Sequence, residues 1–132
     1  MTTPSPAHKG IILFAHGSGD PLWHKPMEAV AACISASDPQ AAVECAYLEL
    51  SSPDLATACA RLLHRGIHCI SILPLFLGVG KHAREDLPLL VDALRKQYPA
   101  TEFVLQPAVG EDKRLISLLA GMALESLQVQ PS

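Results

Sequence analysis

Aromatic side chains are scarce in this 132-residue chain: three Phe, two Tyr and one Trp make up 5% of it. Platforms on which nucleobases could stack are therefore few. Positive charge is not in excess either. Ten Lys and Arg stand against thirteen Asp and Glu, a net charge of -3, which is the wrong sign for gripping a phosphate backbone by counterion release, so no nucleic acid partner is expected. Cys33, Cys45, Cys59 and Cys69 occur without a CxxC pair, which removes a zinc knuckle and a thioredoxin-type redox motif and leaves core thiols as the reading. The longest apolar run, Ile70 to Gly80, is too short to span a bilayer. Met1 to Lys9 lacks the apolar stretch of a signal peptide. A cytoplasmic protein with no membrane partner is expected.

Aliphatic residues are what the chain has in quantity. Hydrophobic residues are 49% and charged residues 17%, enough for a sizeable core and too apolar for disorder. The length suits one domain, expected over residues 9–128, with a flexible amino terminus at 1–8 and a short tail at 129–132. Basic residues fall in small groups, Arg61 with Arg65, Lys81 with Arg84, Arg95 with Lys96 and Lys113 with Arg114. They leave room for a local anion site, although solvated helix surface is the commoner reading of each.

The unbroken apolar run Gly10 to Ala15 reads as a strand buried on both faces, and it stops at the turn His16-Gly-Ser-Gly-Asp-Pro21. Met27, Val30, Ala31 and Ile34 then recur at helical spacing, with Pro26 near the start and Asp38-Pro39 at the close. Val43 to Leu50 is a second strand-like stretch, after which Ser52 is a plausible N-cap and Pro53 a first helical residue. Leu55, Ala58, Cys59, Leu62 and Leu63 form that helix's stripe, and Gly66 ends it. Ile67 to Leu73 is a third strand, followed by a loop from Pro74 to Lys81. Leu87, Leu90, Val91 and Leu94 mark a third helix in which Pro88 fits only the first turn. Glu102 to Gln106 is a fourth strand, and Leu115, Leu118, Leu119 and Met122 carry a last helix to about Leu127. Four alternations with short connections call for an α/β fold, a doubly wound three-layer sandwich around a four-stranded parallel sheet of order 2-1-3-4.

Ligands of such sheets bind at the carboxyl ends of the strands, where three polar residues fall: His16, Glu49 and His82. Adjacent strands lie about 4.8 Å apart, so three side chains could converge on one ion. Two imidazoles and a carboxylate suit cobalt, nickel, ferrous iron or zinc, with positions left open for a substrate. The plainer alternative has His16 capping a turn, His82 on the surface and Glu49 as a carboxylate at a helix start. His8, His24, His64 and His68 lack such placement. Gly17-Ser18-Gly19 is not a GxSxG nucleophile elbow, though a Gly-Ser-Gly turn can bind an anion through backbone N–H groups. Gly78 and Gly80 either admit a flat ligand to the backbone or merely permit a turn.

Three motifs then match something specific. Phe14-Ala-His16-Gly-Ser-Gly-Asp-Pro21, Ala46-Tyr-Leu-Glu49-Leu and Leu73-Pro-Leu-Phe-Leu-Gly-Val-Gly-Lys-His82-Ala-Arg-Glu-Asp86-Leu-Pro88 resemble the short sirohydrochlorin cobaltochelatases, the CbiX-like class II chelatases, from about Lys9 to Leu119. The resemblance implies insertion of Co2+, or of Fe2+ or Ni2+, into the tetrapyrrole sirohydrochlorin, with the metal as a substrate and no nucleotide or redox cofactor. It implies that His16 and His82 bind the metal, that His16 removes a pyrrole proton, and that Glu49 is a metal-side or proton-accepting carboxylate. Ser18, Glu49 to Ser51 (with Leu50) and Leu77 to Lys81 (Gly78, Val79 and Gly80 between them) would contact the macrocycle. Lys81 and Arg84 would hold its carboxylates. Where many relatives have Arg after His-Gly-Ser, this chain has Gly19, so one cationic contact is missing. A non-catalytic metal-binding or delivery protein is the alternative reading of that departure, and an anion-binding domain is a weaker one. Because chelatases of this fold often set two α/β halves across a cleft, a one-half chain is expected to form a homodimer.

Overall fold

Strand and helix alternate along residues 9–128, the part of the chain described by the computed structural model. The expectations for residues 1–8 and 129–132, and the placement of His8, lie outside the described residues. Strands β1 (Lys9–Ala15), β2 (Ala42–Tyr47), β3 (Cys69–Pro74) and β4 (Glu102–Leu105) form one parallel sheet in the order 2-1-3-4, as the alternation predicts.

The sheet is layered between helices. On one face α2 (Leu55–His64) and α3 (Lys81–Gln97) bury Ala58, Cys59, Leu62, Leu87, Val91 and Leu94 against Ile12, Phe14, Ile70 and Ile72. On the other, α1 (Lys25–Ser37) covers β1 and β2, with Met27 packed on Ala15 and Tyr47. The centre strand β1 thus loses its alternation, and Ile12, Leu13, Phe14 and Ala15 are all buried. β3 keeps a strict alternation: Ile70, Ile72 and Pro74 are buried while Cys69, Ser71 and Leu73 are only half-buried. An interior strand of a parallel sheet is normally covered on both faces, so the α1 side of β3 and β4 stands open. The last helix, α4 (Lys113–Gln128), does not close it, for none of its residues is buried and its main contact is the short 3-10 turn Val109–Glu111.

Several boundaries differ from the sequence expectation. β2 ends at Tyr47 rather than Leu50, because Tyr47 N–H turns to the Pro53 carbonyl at 2.9 Å and the chain folds back. The cap of α2 is Asp54, whose carboxylate accepts the Thr57 N–H at 2.8 Å, so Ser52 and Pro53 lie in the preceding loop. β3 runs from Cys69 to Pro74, two residues later at its start than expected. The loop after it ends at Gly80, the N-cap, and Lys81 is already helical. Pro88 therefore sits in the interior of α3 rather than in its first turn. An interior proline costs a helix about 3 kcal/mol, and here the burial of Leu87, Val91 and Leu94 holds the helix through it. Gly66 ends α2 as expected, with φ of 83° just past the cap residue Arg65.

Candidate active site

His16 follows the last residue of β1 and is exposed on the carboxyl rim of the sheet. Two backbone bonds carry the β1–β2 pairing past the end of β2: Leu48 N–H to the Ala15 carbonyl at 2.9 Å, and Glu49 N–H to the His16 carbonyl at 3.0 Å. The close approach requires Gly17. Its φ is 100°, and a Cβ there would overlap the Glu49 carbonyl oxygen. The imidazole of His16 lies over the buried ring of Phe76, centroids 4.3 Å apart at 34°. The residue after β1 is thereby fitted against the loop after β3.

Past Phe76, Leu77 and Gly78 are exposed, Val79 is half-buried and Gly80 caps α3. A Cβ on Gly78 or Gly80 would meet nothing within 4 Å, and neither has positive φ. No local backbone demand explains these glycines, and the open space over them suits a flat ligand at van der Waals distance. The loop is braced from behind, where Gly110 N–H donates to the Phe76 carbonyl at 3.0 Å and Gly110 fits against the Leu77 carbonyl with no room for a Cβ.

Lys81, His82 and Arg84 are exposed in the first turn of α3, which has no side-chain cap. Its free N–H groups and these cations favour negative charge. His82, Asp86, Leu89 and Ala93 recur every three or four residues along one face of α3, and Asp86, Leu89, Leu90 and Ala93 face Leu48 across a cleft of 340 Å3. Exposed Leu48, Leu50, Leu77 and Leu89 make the surroundings of this rim strongly apolar. Val79 and Arg84 line a smaller 110 Å3 hollow beside Phe76. Among the described residues no group of three His, Cys, Asp or Glu side chains is placed to hold an ion. The three-way convergence of His16, Glu49 and His82 inferred from strand order is thus not found. Glu49 reaches His16 through its backbone N–H in the loop after β2, and His82 lies on a helix eight residues past the end of β3, so strand order alone does not bring the three side chains to one point.

Ser51 has a role the sequence reading gave it no reason for. Its hydroxyl donates to the Ser18 carbonyl at 2.6 Å and accepts the Ser18 N–H at 3.0 Å. It also meets His24 Nε2 at 2.9 Å. A hydroxyl has one proton, and that proton is committed to Ser18, so the His24 ring must carry a proton on Nε2. His24 stacks on Tyr47, centroids 4.7 Å apart at 24°, and burial, followed by the nearby Cys45 thiol and Glu28, pushes the Tyr47 phenol up to about 12. Burial and then Glu28 raise the Cys45 thiol as well. His24 has no strand-end placement in the sequence, and the structure puts it at the end of a 3-10 turn, Pro21–His24. Asp86, part of the third sequence motif but given no role there, lies one turn after His82 on α3 and lines the cleft facing Leu48.

A family model described as CbiX matches residues 10–126 of this chain. A sirohydrochlorin cobaltochelatase from Sulfolobus acidocaldarius is 26% identical over 121 residues, covering 92% of this chain and 94% of that protein. A sirohydrochlorin ferrochelatase from Priestia megaterium is 30% identical over 76 residues, 58% of this chain and 29% of that longer protein. The crystal structure of a CbiX protein from Marinobacter aquaeolei superposes with a TM-score of 0.77 at 32% identity, covering 91% of this chain and 98% of the other.

Proposed function

Because the chain belongs to the CbiX family, matched through residues 10–126, we propose that it is a sirohydrochlorin chelatase whose site is the rim between His16 and His82. It is a metal chelatase, and its substrates are a divalent ion and the tetrapyrrole. The observation that carries the site assignment is a rim that sets exposed imidazoles beside an apolar wall of Leu48, Leu50, Leu77 and Leu89, with two unobstructed glycines at its edge.

Metallation exchanges two pyrrole protons for one divalent ion, so it needs a weak ligand set and a base but no electron and no nucleotide. His16 and His82 deliver the ion. An imidazole has an ordinary pKa of about 6.5, and its free base both binds a divalent metal and accepts a proton near neutral pH. His16 also removes a pyrrole proton, and Glu49 accepts charge on the metal side. An imidazole site releases an ion to four pyrrole nitrogens more readily than a thiolate cage would. Cobalt is the assigned ion, with iron and nickel next. Ser18, Leu50, Ser51, Leu77, Gly78, Val79 and Gly80 contact the macrocycle, while Lys81 and Arg84 at the free amino end of α3 hold its carboxylates. A second copy of the chain supplies the opposite wall of the cleft. Four free cysteines, none in a disulfide, suit a reducing compartment such as the cytoplasm. The metal-delivery alternative is not favoured, since the relatives matched over most of this chain are named sirohydrochlorin cobaltochelatases.

Mixing the protein with sirohydrochlorin and Co2+, Fe2+ or Ni2+ in separate assays tests the reading through the spectral change of metallation. His16→Ala and His82→Ala are each expected to slow the cobalt reaction at least tenfold with the fold intact. Parental rates in both variants would remove the mechanism, and no macrocycle binding beside tight cobalt binding would restore the delivery reading.

A further inference from the structure

Leu50 stands in a conformation that leucine avoids. Its φ is 61°, and among the described residues it is the one non-glycine with positive φ, the other such positions being Gly17 and Gly66. A Cβ in the left-handed region crowds the following carbonyl oxygen, so glycine or asparagine is the ordinary occupant. Core packing does not account for the leucine either, because it is 75% exposed. Strain maintained at an exposed apolar residue points to a contact with something outside the chain.

The surrounding structure does maintain it. On one side of Leu50, Glu49 N–H is bonded to the His16 carbonyl at 3.0 Å. On the other, the Ser51 hydroxyl donates to the Ser18 carbonyl at 2.6 Å and accepts the Ser18 N–H at 3.0 Å. Leu50 is thus pinned through both neighbours to the segment from His16 to Ser18. The second pin is a side-chain bond, and it holds only while the hydroxyl keeps its orientation. His24 fixes that orientation, for its Nε2–H meets the same oxygen at 2.9 Å and leaves the hydroxyl proton to Ser18. The imidazole is itself seated on the end of the sheet, stacked at 4.7 Å on Tyr47, the buried last residue of β2.

We propose that His24 is a positioning residue for macrocycle binding: through the Ser51 hydroxyl it holds Leu50 in the left-handed conformation that presents this leucine to a flat apolar ligand. The proposal rests on the chelatase reading above and deepens it. Leu50 lies among the exposed leucines of the rim, and because the clamp sets it before the ligand arrives, its disfavoured geometry is met during folding and not during binding, which is how preorganisation raises affinity.

Two measurements test this in variants with parental circular dichroism: urea unfolding, and titration with metal-free sirohydrochlorin followed by the macrocycle's own absorption. Leu50→Gly should raise the urea midpoint by about 0.2–0.5 M, because relief of the left-handed conformation outweighs the added chain freedom of glycine. The same variant should raise the sirohydrochlorin Kd at least about fivefold through the lost apolar contact. His24→Ala should also raise that Kd at least about fivefold, and His24→Gln, whose amide keeps an N–H for Ser51, should return it to within about twofold of the parent. In a Leu50→Gly background His24→Ala should change the Kd by less than about twofold, since its effect passes through the leucine. A Leu50→Gly protein that binds like the parent or unfolds more easily, a glutamine variant no better than alanine, or an equal loss from His24→Ala in both backgrounds would each overturn the proposal. A parent that binds no sirohydrochlorin would overturn the chelatase reading together with this one, whereas a parent that binds and metallates it while His24 and Leu50 act independently would overturn this one alone.

Discussion

Replacing Gly17 by alanine should part the two loops that carry His16 and Glu49. Two effects add at this position. Gly17 has φ of 100°, and a residue with a Cβ held in so sparsely populated a region costs about 1–3 kcal/mol. The new Cβ also overlaps the Glu49 carbonyl oxygen. Both atoms are fixed to backbone, so no rotamer relieves the clash and the loops must separate. Separation sacrifices the 3.0 Å bond from Glu49 N–H to the His16 carbonyl, worth about 1 kcal/mol. The combined loss is about 2–4 kcal/mol. With a urea m-value near 2 kcal/mol/M, the midpoint falls by about 1–2 M. Gly19, two residues on in the same turn, has no atom within 4 Å of its Cβ position and no positive φ. Gly19→Ala should therefore stay within about 0.5 kcal/mol of the parent. Urea unfolding followed by circular dichroism reads both, and cobalt metallation reads the displacement of the rim. Equal midpoints for the two variants would refute the account of why the rim holds its shape.

Other expectations follow from single contacts. Ser51→Ala removes the hydroxyl shared by Ser18 and His24 and should cost about 1–3 kcal/mol in urea unfolding. Asp54→Ala removes the α2 cap and should cost about 1 kcal/mol at pH 6. Hydrogen bonds from Thr57 hold the Asp54 carboxyl below its usual range, so its contribution is full above the unfolded value near 3.9 and disappears as pH falls through the lower folded value. The gap between Asp54 and alanine should shrink in midpoints measured from pH 6 down to pH 2. Burial pushes the Cys59 thiol up to about 11, and a thiol-reactive dye at pH 8 should label exposed Cys33 at once but Cys59 only on unfolding. Pro88→Ala, at an exposed position inside α3, should raise stability by about 1–3 kcal/mol, measured as a higher thermal midpoint.

Much of this fold could be read from the chain because its signals are local. The unbroken apolar run of β1, the glycine after α2 and four alternations with short connections leave few arrangements for a parallel sheet. The errors arise where distant groups compete with local preference. Four successive residues from Ser51 to Asp54 carry cap or helix-start chemistry, and it is Asp54, not Ser52, whose side chain accepts the Thr57 N–H and caps α2. Pro88 is kept inside α3 by the burial on either side of it. At the proposed site, His16 follows the end of β1 as the sequence suggests, whereas His82 stands in the first turn of α3 rather than at a strand end. His24 is not legible in the sequence, for its partner Ser51 lies 27 residues on and no period or motif links them.

The proton on His24 Nε2 has a consequence for acid. A second proton on this imidazole would sit at Nδ1, so an Nε2–H donor to Ser51 is present in both forms of the ring. The bridge is a fastener and not a pH switch. A bell-shaped or sigmoid dependence of metallation on pH in this protein should accordingly keep its midpoints in His24→Gln, and report on the rim groups that meet the ion and the macrocycle.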